Sequence, residues 1–208
     1  MNLFLSFLLF GLWTLAFPVG KFMLQFSPPI LLTGLRMVLS GLILVGYLAL
    51  KKKIPALSKK GWSSVCILAL FSIYLTNILE FWSLSHLSAA KTCFLYSLSP
   101  FLTAILSYIH FKEKMTPLKW LGVTLGGLGF IPVILTKTGT ENFFTAFAGF
   151  TWPELSMFGA VFFSVYGWII LRLIVKDEKV PILFANGSSM LIGGIAALIT
   201  SFFFETTW

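Results

Sequence analysis

The stretch "SAAKTCFLYSLSPFLTAILSYIHFKEKMTPLKWLGVTLGGLGFIPVIL", residues 88–135, decides the fold class. It contains two apolar runs of about 20 residues, the length that a helix needs to cross the roughly 30 Å hydrocarbon core of a bilayer. Between the two runs, charged residues gather in a short connection around Lys112, Glu113 and Lys114. The stretch therefore predicts two membrane-spanning helices joined by a tight turn.

The rest of the chain repeats this arrangement. Hydrophobic residues make up 58% of the 208 residues and charged residues only 11%, which is far from the composition of a soluble domain. The apolar runs are long enough for helices and alternate with short basic connections, which predicts an all-α, multi-span helical bundle. Seven helices are predicted, over residues 3–25, 30–50, 63–85, 87–111, 118–136, 154–175 and 182–204.

The basic residues predict how the bundle sits in the membrane. Eleven of them fall on one side of the seven-helix topology, against Lys137 on the other. By the positive-inside rule the N-terminus is then cytoplasmic, residue 208 is external, and the chain is a multi-pass protein of the plasma (inner) membrane. The net charge of +8 is explained by this topology, so no nucleic-acid partner is expected. The eleven are Lys51, Lys52, Lys53, Lys59, Lys60, Lys112, Lys114, Lys119, Arg172, Lys176 and Lys179.

A weak internal repeat suggests how the helices are organised. A shift of 152 positions places "PPILLTGLRMVLSGLI" (28–43) over "VPILFANGSSMLIGGI" (180–195) and aligns Pro29 with Pro181 and Gly41 with Gly193. A repeat of five helices enters the membrane from opposite sides in its two copies, the architecture of many alternating-access transporters. We therefore predict a first five-helix repeat over 1–136, an external loop over 137–153 and a partial second repeat of two helices over 154–208.

The second repeat is shorter than the first. Three explanations remain open: the chain is a fragment, it is truncated in nature, or a partner such as a second copy of the chain completes the bundle. Self-association into a homo-oligomer would supply the helices that the second repeat lacks.

Polar side chains are concentrated on one face of each of the first four helices. In helix 4 they recur every three or four residues, at Ser88, Thr92, Tyr96, Ser99, Thr103, Ser107 and His110, and this spacing predicts one continuous face. The simpler interpretation is that these hydroxyls join neighbouring helices by hydrogen bonds. Four polar faces that also carry charges favour a water-accessible cavity, because a charge facing lipid is costly.

Four ionisable residues share one layer, roughly 6 to 10 Å below the external end of their helices at 1.5 Å per residue: Lys21, Arg36, Glu80 and Lys91. The two lysines could instead extend to the headgroups. Glu80 must be paired, with Arg36 or a lysine, or protonated, so it is a candidate coupling site for protons or an organic cation. A purely structural pair with Arg36 is the alternative. The predicted substrate and coupling site comprises Glu80, Arg36, Lys91, Lys21, Thr76, Tyr96, Ser99 and Thr103.

The sequence resembles a known family, the EamA-type transporters of the drug/metabolite transporter superfamily. The resemblance rests on residues 88–135, with a proline in helix 4, an acidic residue after that helix (Glu113) and a Trp-x-Gly-rich helix 5 that begins near Trp120. "GLRMVLSG" (34–41) is similar to the start of the family's helix 2. The sequence departs from the family in helix 1, where Gly11 precedes Trp13, and in the absence of helices 8 to 10.

The resemblance implies a carrier of ten helices, five plus five, that moves amino acids, nucleosides or related small metabolites across the inner membrane. Our functional prediction is thus a secondary transporter with a small-molecule substrate, coupled to protons or another ion, that works by alternating access in the lipid bilayer. The alternative is a truncated membrane protein that is inactive or depends on a partner.

The sequence offers little for catalysis. His86 and His110 lie near opposite faces of the predicted bilayer, and there is no HExxH motif and no Gly-rich phosphate loop. Cys66 and Cys93 both fall within helices and offer neither a metal site nor a disulfide framework. We expect no enzymatic activity, no cofactor and no metal.

Overall fold

The computed structural model describes residues 3–112, 116–135, 151–178 and 180–205. Over these residues it contains seven helices and no strand. Five of the helices, α2, α3, α4, α6 and α7, are long and apolar enough to cross a membrane. The predicted all-α membrane fold is thereby confirmed. The helices are α1 (Leu3–Met23), α2 (Pro29–Leu50), α3 (Lys59–His86), α4 (Ala89–Phe111), α5 (Pro117–Leu135), α6 (Trp152–Asp177) and α7 (Ile182–Phe204).

Some of the predicted features lie outside the residues that the structure describes. Nearly all of the predicted loop 137–153 lies outside the described residues, as do Glu113, Lys114, Lys137 and Lys179.

Local sequence explains where several helices begin. The Ser58 hydroxyl accepts a hydrogen bond from the Gly61 amide at 3.1 Å at the start of α3. The Ser88 hydroxyl accepts one from the Lys91 amide at 3.2 Å at the start of α4. These side chains satisfy backbone N–H groups that have no partner within the helix.

Two helices depart from regular α-helical geometry. Residues Ala69–Leu75 of α3 form a π-helical segment, a wider turn that is frequent at functional sites. α4 is divided into Ala89–Tyr96 and Ser99–Phe111, with Pro100 in the first turn of the second part. Proline lacks the N–H that would continue the first part into the second. The polar face predicted to run along all of α4 is therefore interrupted after Tyr96.

Many of the buried apolar residues belong to two clusters. The first joins α1, α3, α4 and α6 and is centred on Phe17, Leu84, Leu95 and Val161. The second joins α2, α3, α6 and α7, and its members are Leu48, Leu68, Ile174, Val180, Phe184 and Ala185. α3 and α6 contribute to both clusters and so form the centre of the bundle.

α2 and α7 make the most extensive helix–helix contact in the described part of the chain. The contact, which we call the α2–α7 seam, is built on Gly34, Gly41, Gly187 and Gly194. A Cβ atom on Gly41 would lie 2.8 Å from the Leu191 nitrogen and 2.9 Å from the Gly187 oxygen. Only glycine permits so close an approach of two backbones, and small residues have this role in many membrane helix pairs.

The two helices of the seam run in opposite directions. Gly34 lies against Leu198, Val38 against Gly194 and Val45 against Gly187, so each step along α2 corresponds to an equal step backwards along α7. At the end of the seam the Glu205 carboxylate accepts hydrogen bonds from the Ile30 and Leu31 amides at 2.8 and 2.9 Å. A residue that follows α7 thus caps the beginning of α2.

Candidate functional site

The candidate site is a polar cluster in the upper half of the bundle, near the end predicted to be external. We define this polar cluster as Arg36, Asn77, Glu80, Tyr96 and Ser164. Its members come from α2, α3, α4 and α6. Each of these residues is buried or partly buried.

Asn77 is fixed by the π-helical segment. A π-turn leaves carbonyl groups without their usual helical partners, and side chains can take their place. The Asn77 amide donates hydrogen bonds to the Ile73 carbonyl at 2.8 Å and the Ser72 carbonyl at 3.4 Å. The neighbouring Thr76 hydroxyl donates to the Phe71 carbonyl at 2.8 Å. Asn77 is buried and its orientation is therefore set by the backbone of its own helix.

Arg36 is held by Asn77 from the neighbouring helix. Its Nη2 donates a hydrogen bond to Asn77 Oδ1 at 2.7 Å. Its Cζ lies 4.4 Å from the centre of the Phe81 ring, within the range of a cation–π interaction. Its Nε is buried without a hydrogen-bond partner. The guanidinium group is thus fixed on two sides and retains an unsatisfied donor.

Glu80 lies close enough to Arg36 and Tyr96 to interact with both electrostatically. The side chain is partly exposed. Within the ranges that the structure describes, no basic group lies within 4.0 Å of its carboxylate, the distance that defines a salt bridge. The predicted pair of Glu80 and Arg36 consequently forms no salt bridge.

Tyr96 connects α4 to α1 and α6. Its hydroxyl lies 2.8 Å from the Ser164 hydroxyl, and either atom can donate the hydrogen bond. Its ring lies 5.6 Å from the Phe17 ring, between centroids, at an angle of 60°. Such tilted aromatic pairs are favourable. Tyr96 therefore joins α4 to α1 through its ring and to α6 through its hydroxyl group.

The two lysines of the predicted site make other contacts. Lys21 Nζ donates hydrogen bonds to the Leu84 carbonyl at 2.6 Å and the Ser85 carbonyl at 2.9 Å, and so caps the last turn of α3. Lys91 forms an ion pair with Glu154 of α6. The structure accordingly places Lys21 and Lys91 in contacts between helices rather than beside Glu80.

The predicted serine and threonine residues make hydrogen bonds within their own helices. Thr76 is occupied with the π-helical segment. The Thr103 hydroxyl donates to the Ser99 carbonyl at 2.7 Å, and Thr103 is exposed while Ser99 is half-buried. In this arrangement both belong to the second part of α4, below the break.

Three further residues of this region were not predicted: Asn77, Ser164 and Glu154. Asn77 adjoins Thr76 in sequence but lies outside the four-residue spacing that joins Thr76 to Glu80 on one face of α3. The two α6 residues meet α4 partners that lie more than 60 positions earlier in the chain. The Thr151–Glu154 capping box was the one local signal for Glu154.

The described residues hold no group of three or more His, Cys, Asp or Glu side chains that could bind a metal ion. The chemistry available in the polar cluster is therefore that of a cation, a carboxylate, an amide and hydroxyls beside aromatic rings. Such a set can bind a charged small molecule.

Comparison with known proteins defines the family. The EamA-like transporter family matches residues 1–135. The chain belongs to this family. Its relatives include the "S-adenosylmethionine/S-adenosylhomocysteine transporter" of Chlamydia muridarum (strain MoPn / Nigg), 34% identical over 206 residues, which cover 97% of this chain and 63% of that protein.

Other relatives show the same coverage. The transporter with the same name from Chlamydia trachomatis serovar L2 is also 34% identical, over 97% of this chain and 62% of its own length. The uncharacterized transporter YvbV of Bacillus subtilis (strain 168) is 26% identical over 98% of this chain and 63% of its own. The chain thus spans less than two thirds of the length of these relatives.

The resemblance identified from residues 88–135 is confirmed by these findings. Together with five apolar helices, they make the chain a multi-pass membrane protein of a transporter family. They point to a transporter rather than to an enzyme.

Proposed function

We propose that this EamA-like chain carries S-adenosylmethionine, S-adenosylhomocysteine or a closely related small metabolite across the cytoplasmic membrane. The polar cluster is the site that we assign to the substrate. The observation on which this assignment depends is that Arg36 and Glu80 are both partly exposed and form no salt bridge, although Arg36 contacts Asn77 and Phe81 on the helix that carries Glu80. Intramembrane charges in this state are typical of a solute pathway.

The substrate is suggested by the chlamydial relatives, whose similarity extends over 97% of this chain. The family resemblance implied amino acids, nucleosides or related solutes. S-adenosylmethionine contains both kinds of group, since it joins an adenosine to the side chain of methionine. A single polar cluster with charges and aromatic rings suits such a composite molecule.

The α2–α7 seam supports an alternating-access mechanism between related halves. Its antiparallel register sets Ser40 opposite Ile192, and the internal repeat also aligns these two residues, at a shift of 152 positions. A two-fold axis through the seam would relate the two halves in the way that inverted repeats require. In this proposal the N-terminus is cytoplasmic, as the charge distribution predicts.

The test is transport by membrane vesicles that contain the full chain and are loaded with unlabelled S-adenosylhomocysteine. We expect uptake of labelled S-adenosylmethionine above that of vesicles without the chain. Glu80→Gln, at equal abundance in the membrane, should lower uptake by at least about tenfold, a difference of about 1.4 kcal/mol. Repeating the assay after the proton gradient is dissipated distinguishes exchange from proton coupling.

Two results would contradict the proposal in different ways. The absence of uptake by the intact chain would remove the proposed substrate. Equal uptake by the intact chain and Glu80→Gln would keep the substrate and remove Glu80 from the mechanism.

A further inference from the structure

The substrates named for the chlamydial relatives limit what a shared site can recognise. S-adenosylmethionine carries a sulfonium cation, and S-adenosylhomocysteine has a neutral thioether at the same place. The two molecules share the adenosine and the zwitterionic α-amino-acid head group. A site that accepts both must therefore use these shared parts, and this inference rests on the proposed function.

The guanidinium group of Arg36 has free N–H donors that can bind a carboxylate. The guanidinium group offers five N–H donors in a planar fork that matches a carboxylate in a bidentate manner. One of these donors is used by Asn77, and the Phe81 ring covers one face of the group. The Nε–H group beside them is buried without a partner. A substrate carboxylate would supply the missing acceptor.

Glu80 is the complementary group for an ammonium. Its carboxylate is partly exposed and, among the described residues, lies within salt-bridge distance of no basic group. The lysines that could have neutralised it are occupied elsewhere, Lys21 at the end of α3 and Lys91 with Glu154. Arg36 contacts Asn77 and Phe81 of α3, and Glu80 directly precedes Phe81 in that helix, so the two opposite charges lie near each other without a salt bridge.

We propose that Arg36 and Glu80 form a two-point site for an α-amino-acid head group, in which Arg36 binds the carboxylate and Glu80 binds the ammonium. Asn77 is the positioning residue, because it connects the Arg36 guanidinium to the carbonyl groups of the π-helical segment. The site therefore depends on the irregular geometry of α3 as well as on its two charges.

The experiment measures binding of three probes to the purified full chain by equilibrium dialysis. S-adenosylhomocysteine carries the complete head group, its decarboxylated analogue keeps the ammonium alone, and 5′-methylthioadenosine carries neither group. We expect the intact chain to bind S-adenosylhomocysteine at least about tenfold more tightly than the decarboxylated analogue, and that analogue at least about tenfold more tightly than 5′-methylthioadenosine, about 1.4 kcal/mol per step.

Two variants test separately the contribution of Arg36 and that of Glu80. Arg36→Gln should remove the preference for S-adenosylhomocysteine over its decarboxylated analogue, and Glu80→Gln should remove the preference of the decarboxylated analogue over 5′-methylthioadenosine. Asn77→Ala should reduce the first preference and leave the second. The ratio between probes does not depend on how much of a variant is folded, so a loss of folded protein cannot imitate these results.

Arg172→Gln is the matched control. Arg172 Cζ also lies 4.4 Å from a phenylalanine ring, that of Phe111, but outside the polar cluster. This variant should keep both preferences. Equal binding of all three probes to the intact chain would overturn the two-point site and leave the proposed function in place. Binding of none of the probes would overturn the proposed substrate and the two-point site together.

Discussion

The α2–α7 seam and the polar cluster are two ways of joining helices within one bundle. In the seam, glycines bring two backbones into direct contact. In the polar cluster, helices are joined by side-chain hydrogen bonds, and Arg36 and Glu80 remain without a salt bridge. Tight backbone packing stabilises a fixed arrangement, whereas groups with unsatisfied bonding capacity are available to a ligand. The comparison predicts that substitutions in the seam change stability more than substitutions in the polar cluster, which we propose as the binding site.

The largest expected effect on stability comes from Gly41→Ala in the seam. The added methyl group would meet backbone atoms of Gly187 and Leu191 at 2.9 and 2.8 Å, and overpacking of this kind costs about 1–3 kcal/mol. The matched control is Gly46→Ala in the same helix, where nothing lies within 4 Å of the new atom. Unfolding of both variants in detergent, followed by circular dichroism, measures the difference. Equal stability of the two would show that the seam is not tightly packed.

A smaller effect is expected for Glu205→Gln at the end of the seam. The carboxylate accepts hydrogen bonds from two amides of α2 and from the Ser201 hydroxyl at 2.6 Å. An amide side chain offers one acceptor oxygen instead of two, so we expect a loss of about 1 kcal/mol, in the range for helix caps. Asp177→Asn makes the same change of charge at an exposed helix end and should stay within about 0.5 kcal/mol. If Asp177→Asn destabilises as much as Glu205→Gln, the effect comes from net charge rather than from the cap.

The smallest effect is expected for Ser164→Ala in the polar cluster. This variant removes the hydrogen bond to Tyr96, and hydrogen bonds between membrane helices average about 0.6 kcal/mol. The same unfolding assay applies. A loss of more than about 2 kcal/mol would mean that the polar cluster is structural and would weaken its assignment to a substrate.

Much of the fold follows from the sequence, because a membrane span is a local property. The length and apolarity of each run depend on neighbouring residues alone, so all seven helices occur where they were predicted. The break in α4 follows in the same way from Pro100. The π-helical segment "ALFSIYL" (69–75) has no such signature. Its wider turn is accommodated by contacts with other helices, such as that of Ser72 with Gly167.

Less of the candidate site than of the fold could be predicted from the sequence. The depth of Arg36 and Glu80 along their helices could be counted, and the structure brings them close together. The contacts of Lys21 and Lys91 could not be foreseen, because their partners lie more than 60 positions away in the chain. Depth along a helix can be read from sequence, but the direction in which a side chain faces its neighbours depends on tertiary packing.

The hydrogen bonds by which Glu205 caps α2 can form only late in the synthesis of the chain. Ribosomes add about 5–20 residues per second, so Glu205 is made roughly 10–35 s after the amides that it caps. During that interval the first turn of α2 has no carboxylate from α7. The nascent helix must complete its hydrogen bonding with water or headgroups at the membrane surface. Arrival of α7 then replaces those temporary partners, so assembly of the seam is a late event in biogenesis rather than an early one.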